Sequence, residues 1–211
     1  MDFAFLNSKA ARKRLVKFMG QVPKNRSDLL PHYARLVAIL NRYMPDVGTE
    51  IVAAVRIYLV PPSGLSADPK LPQLDDEFRY LQRKKNVVKE LAEVRMRNIT
   101  FFSNLTKFRV VPPHVILHTF KVCLDDFSGT NVENLAMLLE GCGRFLLRSE
   151  DTRVPFGKMI ELMRRKQSMQ HFDQRQLLLL ENAYYQCNPP DRKSTRLNSS
   201  HSGESRMPSS A

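Results

Sequence analysis

The sequence predicts an all-α protein in which antiparallel helical hairpins stack into an α-solenoid. Leu, Met, Lys, Arg and Glu are frequent, whereas only eight of the 211 residues are Gly, and this balance favours helix over sheet. Apolar residues recur at three- and four-residue spacing in segments of roughly 12 to 20 residues joined by short turns. Segments of this kind are typical of stacked hairpins. Because no literal sequence repeat is present, any repeat is expected to be structural only.

Three helices are predicted before residue 56. The first covers about 8–19, directs Leu15, Phe18 and Met19 inward, and ends before Pro23. The second is capped by Ser27 and runs to about residue 44. Its expected inward face follows helical spacing and consists of Leu29, Tyr33, Leu36, Val37, Leu40 and Tyr43. The third begins after Asp46 and is expected to bury Val47, Ile51, Val52 and Val55.

A proline-rich stretch interrupts the helical pattern over residues 55–73. Several prolines between Pro61 and Pro72 prevent a helix from crossing it, so an exposed loop insertion is expected. Helix resumes over about 74–85, with Phe78 and Leu81 on one face, and a longer helix is predicted over 87–108.

The second half of the chain continues as helices. Pro112 and Pro113 start one helix, where a missing N–H is harmless. Asn131 is expected to cap the next helix, which contains Gly141 and Gly143. Each of these glycines costs about 1 kcal/mol relative to Ala, so close packing of neighbouring backbones is expected there. Two more helices are predicted over about 154–169 and 173–185.

Composition limits the classes of partner and compartment. The net charge of +12 suggests RNA, an anionic membrane or an acidic protein as a partner, with a solvated basic surface as the alternative. The three cysteines are scattered, which argues against a disulfide framework or zinc site and favours buried thiols. No secretory leader or membrane span is recognisable, so a cytosolic or nuclear protein is expected, with no membrane partner.

Catalytic motifs are missing from the sequence, so we expect neither an enzyme nor a cofactor. His114 and His118 are four residues apart and could share one helix face as metal ligands. No third ligand accompanies them, which favours a chance pair. The consecutive acids from Asp75 to Glu77 diverge around a helix and are expected to be solvated.

Basic residues instead form three clusters along the chain. Phosphate contacts need only such charges held on rigid helices, and the three clusters are Arg12, Lys13, Arg14 and Lys17; Arg83, Lys84 and Lys85; and Arg164, Arg165 and Lys166. Aromatic residues interleave weakly with them, unlike in proteins that stack single-stranded bases. Contact with RNA or an acidic protein and a merely solvated face both remain open.

Four segments carry a resemblance to a known family. They are ARKRLVKFMGQVPKNRSDLLPHYARLVAIL (11–40), VRMRNITFFSNLTKF (94–108), LEGCGRFLLRS (139–149) and MRRKQSMQHFDQRQLLLLENAYYQCNPP (163–190). Together they resemble the second initiation-factor-4G-type middle domain of the up-frameshift factor two family. The match covers nearly all of residues 1–192, and its motifs are unlikely to occur together by chance.

The resemblance implies a HEAT-like stack with a scaffold role in nonsense-mediated mRNA decay. Such a scaffold bridges the exon-junction side of mRNA surveillance to an RNA helicase, mostly in the cytoplasm, including its perinuclear part, with some in the nucleus. Surveillance proteins and neighbouring middle domains are the implied partners. An RNA-binding module that uses basic helix faces is the alternative. The family's known partner sites lie in other domains and cannot be carried over to this chain.

Two features depart from the family pattern. Residues 55–73 have no family counterpart and are interpreted as a lineage-specific loop or a retained intron. Residues 193–211 are Ser-rich and match the conceptual translation of a sequencing-library adapter. We therefore expect a helical domain over residues 1–192, truncated at its N-terminus, followed by a disordered, artefactual tail.

Overall fold

A computed structural model describes residues 8–20, 26–56 and 87–189 of the chain. Every regular element within these ranges is helical, which confirms the all-α prediction. The helices are α1 Lys9–Gly20, α2 Leu30–Asn41, α3 Pro45–Arg56, α4 Val87–Lys107, α5 Pro113–Asp125, α6 Gly129–Leu138, α7 Arg144–Arg148, α8 Glu150–Met169 and α9 Gln174–Cys187. The predicted loop over 55–73, the predicted helix over 74–85 and the predicted tail from 193 lie almost wholly outside the described residues.

The helices pack as a layered stack. α2, α4, α6 and α9 contact one another in succession and form one row. α5 packs against α6 and α8, while α1 packs on α3, which also contacts α2 and α4. Each helix therefore buries its apolar side against neighbours in the row or beside it, as helices of a solenoid do. No helix in the described ranges has the length and apolarity needed to cross a membrane.

Aromatic side chains fill the centre of the stack. Phe101 and Phe102 of α4 are almost completely buried, as are Phe120 of α5 and Phe156 of α8. The Phe120 and Phe156 rings meet edge to face with their centroids 4.9 Å apart. This contact ties α5 to α8, and large buried rings of this kind contribute strongly to the free energy of folding.

The first and third helices largely match the sequence prediction, with one error. The four residues expected on the inner face of α3 are all buried, and Met19 of α1 is also buried. Phe18, which was expected to face inward, is exposed. Adjacent helical residues point about 100° apart, so Phe18 and Met19 cannot both lie at the centre of one buried face.

The second helix differs from prediction in its start and in its buried face. Ser27 does not cap it but lies in a 3₁₀ turn, Ser27–Leu29, that precedes Leu30. The buried residues are Leu30, Ala34 and Val37, which are spaced by four and three. Leu36 and Tyr43, which were predicted to be inward, are exposed instead.

The region around the two glycines is closely packed, as predicted, but the neighbours that approach are side chains rather than backbones. A π-helical turn, Leu139–Gly143, joins α6 to α7. A β-carbon added to Gly141 would lie 2.5 Å from Ser103 Oγ, and one added to Gly143 would lie 2.7 Å from Cys187 Sγ. These separations leave no room for a side chain against α4 or α9. Asn131 lies inside the first turn of α6 rather than capping it, and it donates to the Asp126 carbonyl.

Candidate nucleic-acid and protein interface

The outer side of α1 presents three cations on one face. Lys13 and Lys17 are one turn apart, Arg14 is three residues before Lys17, and all three side chains are exposed. The opposite side of α1 packs on the core through Met19, with Leu15 and Val16 partly buried. Amphipathic packing therefore fixes the direction in which these three cations point.

Arg12, the remaining residue of this cluster, turns away from that face. Its guanidinium donates to Asp46 Oδ2 of α3 at 2.8 Å, and its side chain is only 29% exposed. An ion pair this close to solvent contributes little stability, but it fixes α1 against α3. Arg12 is thus a structural contact, and Lys13, Arg14 and Lys17 form the outward basic face of α1.

No acidic residue occurs between Lys9 and Gly20 to neutralise this face. Closely spaced cations raise the local positive potential and attract phosphates or carboxylates. Lys and Arg side chains offer several N–H donors, so this face can bind the oxygens of phosphates or carboxylates. The face is therefore suited to holding a polyanion in place.

The three basic residues near the end of α8 do not converge. Arg164 stacks over the Tyr184 ring of α9, with its guanidinium carbon 4.7 Å from the ring centroid. Lys166 donates from Nζ to the Leu124 carbonyl of α5 and is partly buried. Only Arg165 is exposed without such a contact to a described residue. The consecutive positions that suggested one cluster in the sequence instead point toward three different surroundings.

The third predicted cluster, Arg83, Lys84 and Lys85, lies outside the described residues. Its role in binding stays a prediction, as do the binding roles of the other basic residues.

One histidine of the α5 pair has a polar partner on another helix. His118 Nδ1 lies 3.0 Å from Arg56 Nη2. Because a guanidinium can only donate, Nδ1 must accept this hydrogen bond. Among the described residues, no group of three or more His, Cys, Asp or Glu is placed to hold a metal ion. The two histidines thus have no third ligand within the part of the chain that the structure covers.

All three thiols are buried and protonated. Burial raises the pKa of Cys123 and Cys142 to about 12 and that of Cys187 to about 11. The thiolate is the nucleophile, so groups with these pKa values are poor candidates for catalysis near neutral pH. The prediction that the cysteines are buried core residues is confirmed.

An open cleft of about 370 Å³ lies between α1 and α3. It is lined by Lys9 and Arg12 on one side and by Asp46 and Glu50 on the other, with Val47 and Thr49 between them. Opposite charges face each other across it, and Arg12 and Asp46 already pair with one another at 2.8 Å.

The exposed side of α2 was missed by the sequence prediction. Leu36, Ile39 and Tyr43 are 41%, 49% and 78% exposed, and they follow spacings of three and four residues. The same spacing also marks the buried side, so periodicity alone could not decide which apolar set faces the core. The structure shows that α2 carries apolar residues on two opposite sides.

Comparison with known proteins identifies one matching family model and several similar proteins. The family model described as MIF4G domain matches residues 3–190. Regulator of nonsense transcripts 2 from Homo sapiens is 38% identical over 196 residues, covering 92% of this chain and 14% of the relative. Regulator of nonsense transcripts UPF2 from Arabidopsis thaliana is 36% identical over 192 residues, covering 91% and 14%. Nonsense-mediated mRNA decay protein 2 from Schizosaccharomyces pombe is 31% identical, covering 91% and 16%. The chain thus spans only a small part of the length of these relatives.

Proposed function

Since the chain belongs to the MIF4G domain family, we propose that it is a non-catalytic scaffold segment of a nonsense-mediated mRNA decay factor. The observation that carries this proposal is the match of more than nine-tenths of the chain to relatives named for that process. In this proposal the segment helps to bridge the exon-junction side of surveillance to the RNA helicase. It acts in the cytoplasm, including its perinuclear part, and to a smaller extent in the nucleus.

The described surface supports binding rather than chemistry. Rigid helices present exposed cations on α1 and exposed apolar residues on α2, whereas the buried nucleophiles are protonated thiols. Stacked helices keep such surfaces at fixed positions without any conformational step. Mutually fixed surfaces of this kind suit surveillance proteins and neighbouring middle domains as partners.

A chimera tests the proposal. In human Regulator of nonsense transcripts 2, the segment that matches this chain is replaced by residues 3–190. The chimera is expressed in cells depleted of the endogenous protein, and the half-life of a reporter mRNA with a premature stop codon is measured. If the segment performs the same scaffold role, the reporter is degraded almost as fast as with the unaltered human protein.

The matched control replaces the same segment with an unrelated helical domain of similar length. Decay as slow with the chimera as with this control, at equal protein levels, contradicts the scaffold role.

RNA binding is a second candidate function, favoured by the exposed cations Lys13, Arg14 and Lys17 on one face of α1. Each phosphate contact made by single-stranded RNA steepens the dependence of log Kd on log salt by about 0.7. Changing all three residues to Gln is therefore expected to reduce this slope by about 2 in a filter-binding titration of the full chain.

The control variant changes Lys107, Lys121 and Lys158, which are exposed on other helices, to Gln. Equal loss of slope in both variants would show that RNA samples the whole basic surface rather than α1. RNA binding too weak to measure at physiological salt would exclude the RNA-binding function, and the protein scaffold would be the remaining candidate.

A further inference from the structure

α2 has a complete apolar face that no described part of the chain covers. Leu30, Ala34 and Val37 fill its inner side. Leu36 and Ile39 lie on the other side of α2, and Tyr43 follows in the hydrogen-bonded turn just after the helix, so the three residues continue one stripe at spacings of three and four. Large apolar side chains aligned in this way are costly to leave in water and are typical of binding surfaces.

Two arginines border this stripe along one edge. Arg35 and Arg42 are seven residues apart, which places them on the same side of the helix beside Ile39. Both side chains are exposed, and neither makes an ion pair with any described residue. The nearest acids in sequence on either side are already paired, Asp46 with Arg12 at 2.8 Å and Asp28 with Arg26 at 3.1 Å. The stripe therefore has a positive edge that no acidic residue within the described ranges pairs with.

The chemistry of the face selects among possible occupants. A second copy of this chain, docked symmetrically, would bring Arg35 and Arg42 toward their own equivalents, and like charges disfavour that arrangement. RNA would satisfy the arginines but would leave Leu36 and Ile39 without apolar partners, and Tyr43 is the one aromatic ring in the stripe for base stacking. An amphipathic helix with acidic residues beside its apolar face satisfies both parts at once.

We propose that the α2 stripe, defined as Leu36, Ile39 and Tyr43 with its edge residues Arg35 and Arg42, docks an acidic amphipathic helix of a partner protein. This inference deepens the scaffold function and rests on it. Leucine-like anchors of the partner cover the stripe, and its Asp or Glu residues pair with the two guanidiniums. The apolar contact supplies the affinity, while the arginines set the charge and orientation of the partner helix.

Selection from a peptide library tests the proposal directly. The full chain is immobilised and presented with displayed helical peptides about 18 residues long. These peptides have a fixed apolar stripe and random residues on both edges. Asp and Glu are expected to be enriched at the edge positions of the selected peptides. A fluorescence titration with the most enriched peptide then gives the dissociation constant.

Charge reversal provides the sharpest arm of this experiment. In the double variant Arg35→Glu/Arg42→Glu, the selected edge residues are expected to change from acidic to Lys and Arg. The affinity for the original acidic peptide is expected to fall about tenfold, as for two lost peripheral ion pairs. The matched control Arg153→Glu, on the exposed surface of α8, should leave both results unchanged.

Removal of the stripe tests the apolar part. The triple variant Leu36→Ser/Ile39→Ser/Tyr43→Ser is expected to abolish selection, whereas Val154→Ser, at another exposed apolar residue, should not. A thermal melt like that of the unaltered chain shows that the triple variant is folded.

Several outcomes overturn the proposal. The first is that the triple variant still selects peptides, and the second is that the selected peptides are not enriched in acidic residues. The third is a large fall in the melting temperature of the triple variant, which would show that the stripe packs within the chain. The fourth is that the unaltered chain forms dimers in sedimentation that the triple variant does not form. Because the readout is peptide binding, its failure is distinguishable from failure of the scaffold function, which the reporter half-life measures.

Discussion

Gly141 and Gly143 determine how closely three helices approach in this molecule. Both lie in the π-helical turn between α6 and α7, where the backbone passes Ser103 of α4 and Cys187 of α9. The φ and ψ angles of Gly143 are −58° and −44°, which any residue can adopt. Glycine is therefore required there for space and not for backbone conformation.

Gly143→Ala is expected to lower the free energy of unfolding by about 1–3 kcal/mol, because the new methyl group would overlap Cys187. Gly157→Ala in α8 is the matched control, since a β-carbon there meets nothing within 4 Å. The control should raise the free energy of unfolding by about 0.5–1 kcal/mol through helix propensity alone. Urea denaturation measures both, and stabilisation by Gly143→Ala would contradict the packing described.

The buried thiols should resist alkylation in the folded chain. The pKa of Cys142 is raised to about 12, so the reactive thiolate is scarce at pH 8. Iodoacetamide labelling read by mass spectrometry should be slow in buffer and fast for all three cysteines in urea. The unfolded thiols ionise near pH 9.0 and the folded ones do so later, so the free energy of unfolding should fall as the pH rises above 9.0. Native labelling of Cys142 as fast as in urea would refute this burial.

At the scale of elements, α8 shows how one basic run serves several purposes. Arg164 packs on α9, Lys166 bonds to the last turn of α5, and Arg165 faces outward. A cation near the C-terminal carbonyls of a helix also interacts favourably with the helix dipole. Two of the three charges therefore hold helices together. A run of basic residues in the sequence does not show which of its members have this structural role and which are free to bind a partner.

Lys166→Met is expected to lower the free energy of unfolding by about 1 kcal/mol, because the Leu124 carbonyl loses its charged donor. Arg165→Met removes an equal charge one residue earlier and should change it by less than about 0.5 kcal/mol. Thermal denaturation of the two variants at equal ionic strength provides the comparison. Equal effects would show that the contact between Lys166 and Leu124 contributes nothing.

Helix positions could be predicted from the sequence more reliably than helix faces. Proline positions and apolar periodicity located α3, α5 and α9 to within a few residues. The buried face of α2 was assigned wrongly at Leu36 and Tyr43, because apolar residues with helical spacing occupy two sides of that helix. Which of the two apolar sides of α2 is buried depends on where α3 and α4 pack, and a local sequence pattern does not contain this tertiary information.

The candidate site was less predictable than the fold. The sequence identified the basic residues of α1, but it could not show that Arg12 pairs with Asp46 while Lys13 and Lys17 remain outward. That distinction depends on a contact between residues 34 positions apart. Likewise, the exposed α2 stripe became visible only when the partners of each helix were known.

The whole molecule consists of a helical core and the surfaces that the core holds in place. The core is joined by aromatic and aliphatic contacts from α1 to α9. The outward basic face of α1 is exposed and the three stripe residues are 41–78% exposed, so we expect that both can be altered without unfolding the chain. If the protein works by binding partners, changes to these surfaces should abolish decay of the reporter mRNA while the folded chain remains as stable as before.

The most direct test places surface changes in the chimeric decay factor. Lys13, Arg14 and Lys17 are changed to Gln, and Leu36, Ile39 and Tyr43 to Ser, and the half-life of the premature-stop reporter is measured at equal protein levels. Val154→Ser serves as the control. We expect the reporter mRNA to become as stable as it is without the segment, although the isolated variant chain melts like the unaltered one. Undiminished decay with both surfaces altered would contradict this expectation.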